Sequence, residues 1–321
     1  MFKNLLLSAA TMFAMAGVAY ADPVDIRIGA GPSADEQLWL MKLRPDLTPN
    51  QGKIYNYKMT MFRGANERFV AYQAGQLDAG STAMSAALFA ASKDIPLTLV
   101  AAETYDESDF FSTDYLTLAE SKFSKDNLKG ATIGLSGFRT SFELYARVAV
   151  QKLGLNPERD VNWLIMPLGN IGMALRAGKI DLGVFPTFYS YVENKTGGVK
   201  TAFTAFSISG VREEFDVFFS PDFIAKNREV VRAWASDFRN VSNYLNQHQK
   251  EARQAIADSK IIEVDPAVYL QIIPPEIKNP TQNGIPQIET LRKLQDLTVS
   301  LGFQPKKVDV DKMIDASLIK P

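Results

Sequence analysis

Two stretches of this sequence repeat one pattern of apolar, small and acidic positions, about a hundred residues apart. The pattern A-x-x-A-G-x-[LI]-D-x-G occurs at 71–80 and again at 174–183. An earlier pair of short runs, 25–31 (DIRIGAG) and 131–137 (ATIGLSG), has nearly the same offset. Each run reads as a strand that ends in glycine and opens into a helical pattern. The two matched pairs therefore predict a duplicated strand–helix–strand–helix unit.

The repeated pattern also predicts how a helix ends in each unit and what the acidic residue does. Gly75 and Gly178 stand where a helix should stop, because glycine readily adopts the left-handed conformation found just after a helix. Asp78 and Asp181 follow within a short predicted strand. We expect these two carboxylates to tie down the local backbone rather than to contact a ligand.

Strands that alternate with helices favour parallel sheets, whose ligands bind at the carboxyl ends of the strands. Two such units predict an α/β protein of two lobes, with two mixed parallel sheets, helices on both faces and a cleft between the lobes. Lobe one is assigned to 22–107 and 206–321, and lobe two to 108–205, with a hinge of two crossing segments at 105–113 and 199–208. Further strands are predicted at 97–102, 115–119, 162–166 and 215–219, and helices at 140–153, 228–257 and 287–301.

The first 21 residues have the features of a secretory signal peptide. Lys3 supplies a positive charge, residues 5–18 are apolar or small, and Ala19 and Ala21 occupy the small positions that a signal peptidase reads. The apolar stretch is shorter than the roughly 20 residues of a membrane-spanning helix. Cleavage after Ala21 is therefore predicted, in preference to a retained anchor, and we expect the mature protein in the periplasm.

Composition argues against several kinds of chemistry. The 321 residues include no cysteine and one histidine, His248, which lies in a polar run of a predicted helix. Thiol nucleophiles and thiolate zinc sites are therefore excluded, and we expect neither a metal site nor a cofactor. The net charge of −1, with no basic tract, argues against nucleic acid as a partner.

Four segments resemble motifs of type II substrate-binding proteins. The run 128–134 (LKGATIG) resembles the entry to their second lobe, and 137–141 occupies their ligand-facing loop and helix start. The runs 75–80 and 178–186 resemble their two G-x-[IV]-D segments. The chain is thus similar to the nitrate-, sulfonate- and taurine-type binding proteins of ABC importers, a group that includes binders of pyrimidines and aromatic carboxylates. This resemblance implies a periplasmic protein that delivers a small molecule to an ABC permease in the inner membrane.

Four loops at predicted strand ends are expected to line the cleft. Helix N-termini suit anions, and Arg63 and Arg139 could each grip a carboxylate or sulfonate. Two or more aromatic side chains in the cleft would favour an aromatic or bulky anion over nitrate. The alternatives are helix capping for the hydroxyl residues, a solvated surface for the arginines and core packing for the aromatic residues. The candidate ligand-binding residues are Gly31, Pro32, Ser33, Trp39, Arg63, Ser81, Thr82, Met84, Ser85, Gly137, Phe138, Arg139, Thr140, Ser141, Phe185, Pro186 and Phe188.

The leading interpretation is a monomeric transport protein that binds a small organic anion, either a sulfonate or a carboxylate, and has no enzymatic activity. A ligand-presenting partner of a membrane sensor is an alternative that the sequence leaves open. An exported enzyme is a further alternative, with weaker support. Ser136 lies in G-L-S-G-F, which lacks the final glycine of a nucleophile elbow, and His248 is the one imidazole base.

Overall fold

The strands of the computed structural model form two five-stranded sheets. The structure describes residues 22–105, 111–212, 214–262, 264–272 and 284–319. The strands are β1 (Val24–Ala30), β2 (Tyr55–Met61), β3 (Ala79–Ala83), β4 (Thr98–Tyr105), β5 (Thr113–Leu118), β6 (Thr132–Leu135), β7 (Asn162–Ile165), β8 (Leu182–Pro186), β9 (Val199–Thr204) and β10 (Glu214–Phe219).

The two sheets have the same strand order and the same strand directions. The first sheet has the order β2-β1-β3-β10-β4, and the second has the order β7-β6-β8-β5-β9. In the first, β1 is parallel to β2 and β3, whereas β10 is antiparallel to both of its neighbours. In the second, β6 is parallel to β7 and β8, and β5 is antiparallel to both of its neighbours. The predicted α/β fold with two mixed sheets is confirmed.

Helices surround both sheets. They are α1 (Glu36–Leu43), α2 (Ala65–Gln73), α3 (Met84–Ser92), α4 (Ser141–Lys152), α5 (Leu168–Arg176), α6 (Thr187–Thr196), α7 (Ala205–Ser209), α8 (Pro221–Lys226), α9 (Arg228–Gln247), α10 (Gln249–Ser259), α11 (Pro266–Ile272) and α12 (Ile288–Ser300). Among the described residues, no helix is both long enough and apolar enough to span a membrane.

The duplication is visible in how each unit packs. A Cβ atom on Gly29 of β1 would lie 2.9 Å from Leu77, and one on Gly134 of β6 would lie 2.5 Å from Ile180. Leu77 and Ile180 are the apolar positions of the repeated pattern. In both lobes, the glycine of the strand leaves room for the apolar residue that follows the helix.

The two repeated aspartates hold the local backbone, as predicted. The backbone N–H of Arg27 donates to Asp78 over 2.9 Å, and that of Thr132 donates to Asp181 over 2.8 Å. Each aspartate's own N–H donates to the carbonyl of the same partner residue. Asp78 also pairs with the Arg27 guanidinium at 2.6 Å. The acidic position of the repeat therefore fastens β3 to β1 and β8 to β6.

Two predicted elements were wrong in detail. The segment 199–208 forms β9 and α7 beside the second sheet rather than a crossing, because Thr204 and Ser207 make a capping box that starts α7. The single helix predicted at 228–257 is divided at His248, whose φ of −130° and ψ of 47° are not helical. This break lets α9 and α10 both pack against α1.

Some predictions fall outside the described residues. They are the signal peptide at 1–21 and the middle of the first crossing at 106–110. The boundaries of the two lobes stay predictions.

Candidate functional site

A cavity of about 80 Å³ lies between the two sheets. Its wall is built from the loops that follow β1, β2 and β6, from the end of β3, and from the starts of α4 and α5. Ser81 of lobe one and Thr140 of lobe two both line it. The volume is well below the roughly 300–1,000 Å³ of pockets for drug-sized ligands. The cavity therefore suits a small ligand.

Helices α1 to α5 all begin at this wall. The first residues of α4 and the residues that precede α1, α2 and α3 are part of the lining. The residues that precede α1, α2, α3 and α5 make no side-chain capping bond, whereas Thr140 caps α4. Uncapped helix starts offer free N–H groups and the positive ends of helix dipoles. The wall is therefore suited to a negatively charged group.

Arg68 of α2 is the buried cation of the cavity. It is 7% exposed and lines the cavity, and its Nε has no hydrogen-bond partner. Within the described residues, no hydrogen bond or ion pair involves its guanidinium. Burial lowers the pKa of Arg68, while the carboxyl groups of Asp35 and Glu103 raise it. A buried, unpaired guanidinium is costly, and an anionic ligand would remove that cost.

Two glycines make room for the Arg68 side chain. A Cβ atom on Gly29 would lie 2.7 Å from Arg68 Cγ, and one on Gly31 would lie 2.9 Å from Arg68 Nη1. Both distances are too short for real contacts. The glycines at the end of β1 therefore allow the guanidinium to lie along the strand end and reach the cavity.

Two buried carboxyl groups surround Arg68. Asp35 Oδ2 accepts hydrogen bonds from the Gly31 N–H and, over 2.6 Å, from the Ser81 hydroxyl. Burial raises the pKa of Asp35, and Arg68 together with these two donors opposes the rise. Burial and the nearby Asp35 raise the pKa of Glu103 well above its usual value, which favours the neutral acid.

A family model described as the NMT1-like family matches residues 22–261. The chain belongs to the NMT1-like family. The matched region includes all the residues that line the cavity. Among curated proteins, none matches this sequence.

Solved structures of binding proteins share the fold of this NMT1-like chain. An alkanesulfonate-binding protein from Xanthomonas axonopodis pv. citri, bound to MOPS, has 19% identity and a TM-score of 0.73, covering 92% of this chain and 99% of its own. The periplasmic nitrate-binding protein from Synechocystis PCC 6803 has 11% identity and a TM-score of 0.74, covering 92% and 87%. The ligand-binding component of an ABC-type import system from Staphylococcus aureus, with zinc bound, has 14% identity and a TM-score of 0.75, covering 92% and 98%.

These likenesses confirm the two-lobe periplasmic binding protein fold predicted from the resemblance. The neighbours are substrate-binding proteins, which are not enzymes, as the sequence predicts for the NMT1-like chain. The described residues hold no group of three or more His, Cys, Asp or Glu side chains placed to bind a metal ion.

The structure brings about half of the predicted site residues to the cavity. Those in its lining are Gly31, Pro32, Ser33, Arg63, Ser81, Thr82, Thr140 and Ser141. The others lie outside the lining and are Trp39, Met84, Ser85, Gly137, Phe138, Arg139, Phe185, Pro186 and Phe188. As ligand contacts, all of these residues stay predictions.

The predicted aromatic walls are placed elsewhere. Trp39 and Phe185 are fully buried core residues of lobes one and two, and Trp39 donates its indole N–H to the Gly31 carbonyl over 3.1 Å. Phe142 and Phe215, which the sequence did not single out, line the cavity instead.

Arg139 joins the lobes instead of lining the cavity. Its guanidinium lies 5.2 Å from the Phe89 ring centre and 5.4 Å from that of Phe303, and it donates to the Phe303 carbonyl over 3.3 Å. Beside it, Asn66 of α2 donates to the Phe138 carbonyl over 3.2 Å. The loop before α4 thus holds lobe two against lobe one at one edge of the cavity.

Phe188 also joins the two lobes. Phe188 belongs to α6 of lobe two, but its side chain is 2% exposed and packs within the core of lobe one. Its ring lies 5.4 Å from Tyr269 of α11 and 6.5 Å from Trp39, measured between ring centres. Phe188 therefore supplies a second contact between the lobes.

Arg68, Asp35 and Glu103 are the residues that sequence reasoning missed. Arg68 lies inside a helical pattern and Glu103 lies inside an apolar strand. Neither residue therefore belongs to a predicted loop, where ligand-binding residues were expected. The pair Gly29 and Gly31 was the available signal, because two glycines at one strand end leave room for a long side chain from a neighbouring helix.

A wider depression of about 670 Å³ lies at the opposite ends of the strands of lobe one. Arg27 and Asp78 border it, and they are already paired with each other. Its remaining charged residues, Lys93, Asp94, Asp222 and Lys226, balance one another. It therefore lacks the unpaired buried charge that distinguishes the interlobe cavity.

Proposed function

We propose that this protein is a periplasmic solute-binding protein that captures a small organic anion between its lobes and delivers it to an ABC-type importer. The observation that carries the proposal is the buried Arg68 guanidinium, which has no partner in the described residues and faces the cavity. A carboxylate or sulfonate would pair with it and with the uncapped helix starts beside it.

We infer that closure of the two lobes around the ligand captures it without chemistry. A ligand that contacts both lobes binds more tightly when the cleft is closed, so it shifts the population toward the closed form. Ser81 and Thr82 would contact it from lobe one, and Thr140 and Ser141 from lobe two. The closed form would then dock on the permease.

A thermal-shift screen tests this function with the mature chain. The probes are alkanesulfonates, short carboxylates, aromatic acids and neutral pyrimidines, each at several concentrations. We expect small sulfonates or carboxylates to stabilise the protein, by about 2.7 kcal/mol at a hundredfold excess over the dissociation constant. Stabilisation by a neutral pyrimidine and by no anion would contradict the proposal.

A further inference from the structure

Arg139 of lobe two holds its guanidinium against two aromatic rings that meet edge to face. It lies 5.2 Å from the centre of the Phe89 ring and 5.4 Å from that of Phe303, and the two ring centres are 6.0 Å apart. Phe89 belongs to α3 of lobe one, and Phe303 follows α12, which packs against α3. Both rings also pack against the apolar core of lobe two. A cation is attracted to the faces of both rings, so the contact draws the lobes together.

The backbone of Arg139 adopts an unusual conformation at this contact. Its φ of 60° lies in the left-handed region, which is unfavourable for a residue with a Cβ atom. The Arg139 N–H donates to the Glu143 carboxylate, which also accepts from Arg147 Nε over 2.6 Å. Thr140, the next residue, caps α4. The first turn of α4 therefore fixes the direction in which the guanidinium leaves lobe two.

The contact does not depend on what the cavity holds. Arg139, Phe89 and Phe303 lie outside the lining of the cavity. A contact that forms when the lobes are closed, and that touches no ligand, stabilises the closed form equally with and without a ligand. It therefore raises the fraction of molecules that can hold a ligand, and with it the apparent affinity.

Phe188 makes a different kind of interlobe contact. Its ring is 2% exposed within the core of lobe one, and the hydroxyl of the adjacent Thr187 accepts from the Ser112 N–H over 2.6 Å. Ser112 belongs to the first predicted crossing segment, so Phe188 lies beside the predicted hinge. Arg139 is exposed and Phe89 is half-buried, so these two can separate without exposing a fully buried ring. The lobes can thus part at Arg139 while Phe188 stays in place.

We propose that Arg139 forms with Phe89 a latch between the lobes, and that Arg139 is a positioning residue that favours the closed form without touching the captured molecule. This inference rests on the closing motion of the proposed function and names the side chain that sets its balance. The contact must break before the lobes open, so it prolongs capture. Its loss shortens capture and leaves the lining of the cavity unchanged.

The distance between two labels, one in each lobe, tests the latch. The chain has no cysteine, so Val70→Cys and Met173→Cys place two thiols for spin labels. These positions are 66% and 65% exposed and lie on α2 and α5. Pulsed electron paramagnetic resonance on the labelled mature chain, with no anion added, gives the distance distribution. We expect a short-distance population of closed molecules, and we expect Arg139→Gln to lower its ratio to the long-distance population by about threefold to tenfold.

Variants of both partners distinguish the latch from a general effect on structure. Phe89→Leu keeps apolar bulk but removes the ring, so it should shift the distances in the same direction. In the Arg139→Gln background it should add little, because the ring has already lost its cation. Arg139→Lys keeps a cation and should recover part of the closed population. Arg44→Gln is the matched control, because the Arg44 guanidinium lies 4.8 Å from the Tyr244 ring centre within lobe one, and its loss should leave the distances unchanged.

Two results would overturn the inference. One is a folded Arg139→Gln protein with the distance distribution of the labelled protein that retains Arg139, and the other is the absence of a short-distance population when Arg139 is present. If Arg139→Gln does not fold, Phe89→Leu is judged by the same comparison.

These measurements are separate from the test of the proposed function, because they use no ligand. Unchanged distances, together with stabilisation by an anion in the thermal screen, would remove the latch and keep the function. A shift in distance in a protein that no anion stabilises would keep the latch and remove the function.

Discussion

Replacing Arg68 with glutamine is expected to weaken ligand binding by about a hundredfold or more. Removing one partner of a buried charge pair typically costs 2–5 kcal/mol or more of binding free energy. A hundredfold loss of affinity corresponds to about 2.7 kcal/mol, which lies within this range. The free protein should be as stable as before or more stable, because Arg68 is 7% exposed and has no partner in the described residues. Calorimetry gives the dissociation constant, and thermal denaturation gives the stability.

Two other arginines provide controls. Arg232 is an exposed residue of α9 that pairs with Glu229, so Arg232→Gln should leave binding unchanged. Arg139→Gln removes the contacts with the Phe89 and Phe303 rings and should weaken binding by less than tenfold. A larger loss from Arg139→Gln than from Arg68→Gln would contradict the assignment and return Arg139 to the site.

Replacing Phe188 with alanine is expected to lower the free energy of unfolding by about 3–5 kcal/mol. The ring is 2% exposed and packs against Trp39 and Tyr269. Removing it leaves a cavity that the surrounding aromatic rings cannot fill without moving. Denaturant unfolding of the ligand-free protein measures the change.

Phe206→Ala is the matched control for Phe188→Ala. Phe206 lies on α7 and is 40% exposed, so its removal should cost far less. If Phe188→Ala left stability unchanged but abolished ligand binding, the ring would belong to the ligand site, as the sequence first predicted.

The duplicated architecture was predictable because its signals are local. Gly75 and Gly178 have φ values of 71° and 67°, which is the left-handed conformation expected just after a helix. Asp78 and Asp181 bind the neighbouring strand in each lobe, as their place in the repeat indicated. Each of these roles depends on residues a few positions away or on one adjacent strand.

The chemistry of the site was less predictable because it depends on tertiary placement. Arg139 lies in a loop that begins at Gly137, which predicted an accessible guanidinium, but the rings of Phe89 and Phe303, from distant segments, pack against it. Arg68 looked like an ordinary helix residue, and its role appears once Gly29 and Gly31 admit it to the cavity. The predicted hydroxyl residues Ser81, Thr82, Thr140 and Ser141 do line the cavity, because their position follows from strand and helix order, and as ligand contacts they stay predictions.

Helix and crossing boundaries show the same limit. The pattern at 228–257 is compatible with one long helix, and it does not mark the break at His248 that lets α9 and α10 both pack against α1. The segment 199–208 is short and half exposed. Its sequence pattern therefore does not distinguish a strand that pairs with β5 from a segment that crosses between the lobes.

A crystal structure with a bound small anion tests the central claim most directly, namely that Arg68 holds the ligand between the lobes. We predict that oxygens of its sulfonate or carboxylate group lie about 2.7–2.9 Å from the Arg68 guanidinium, with Ser81 and Thr140 on opposite sides of the molecule. A ligand bound at the depression beside Arg27, or one that leaves Arg68 without a partner, would contradict the account.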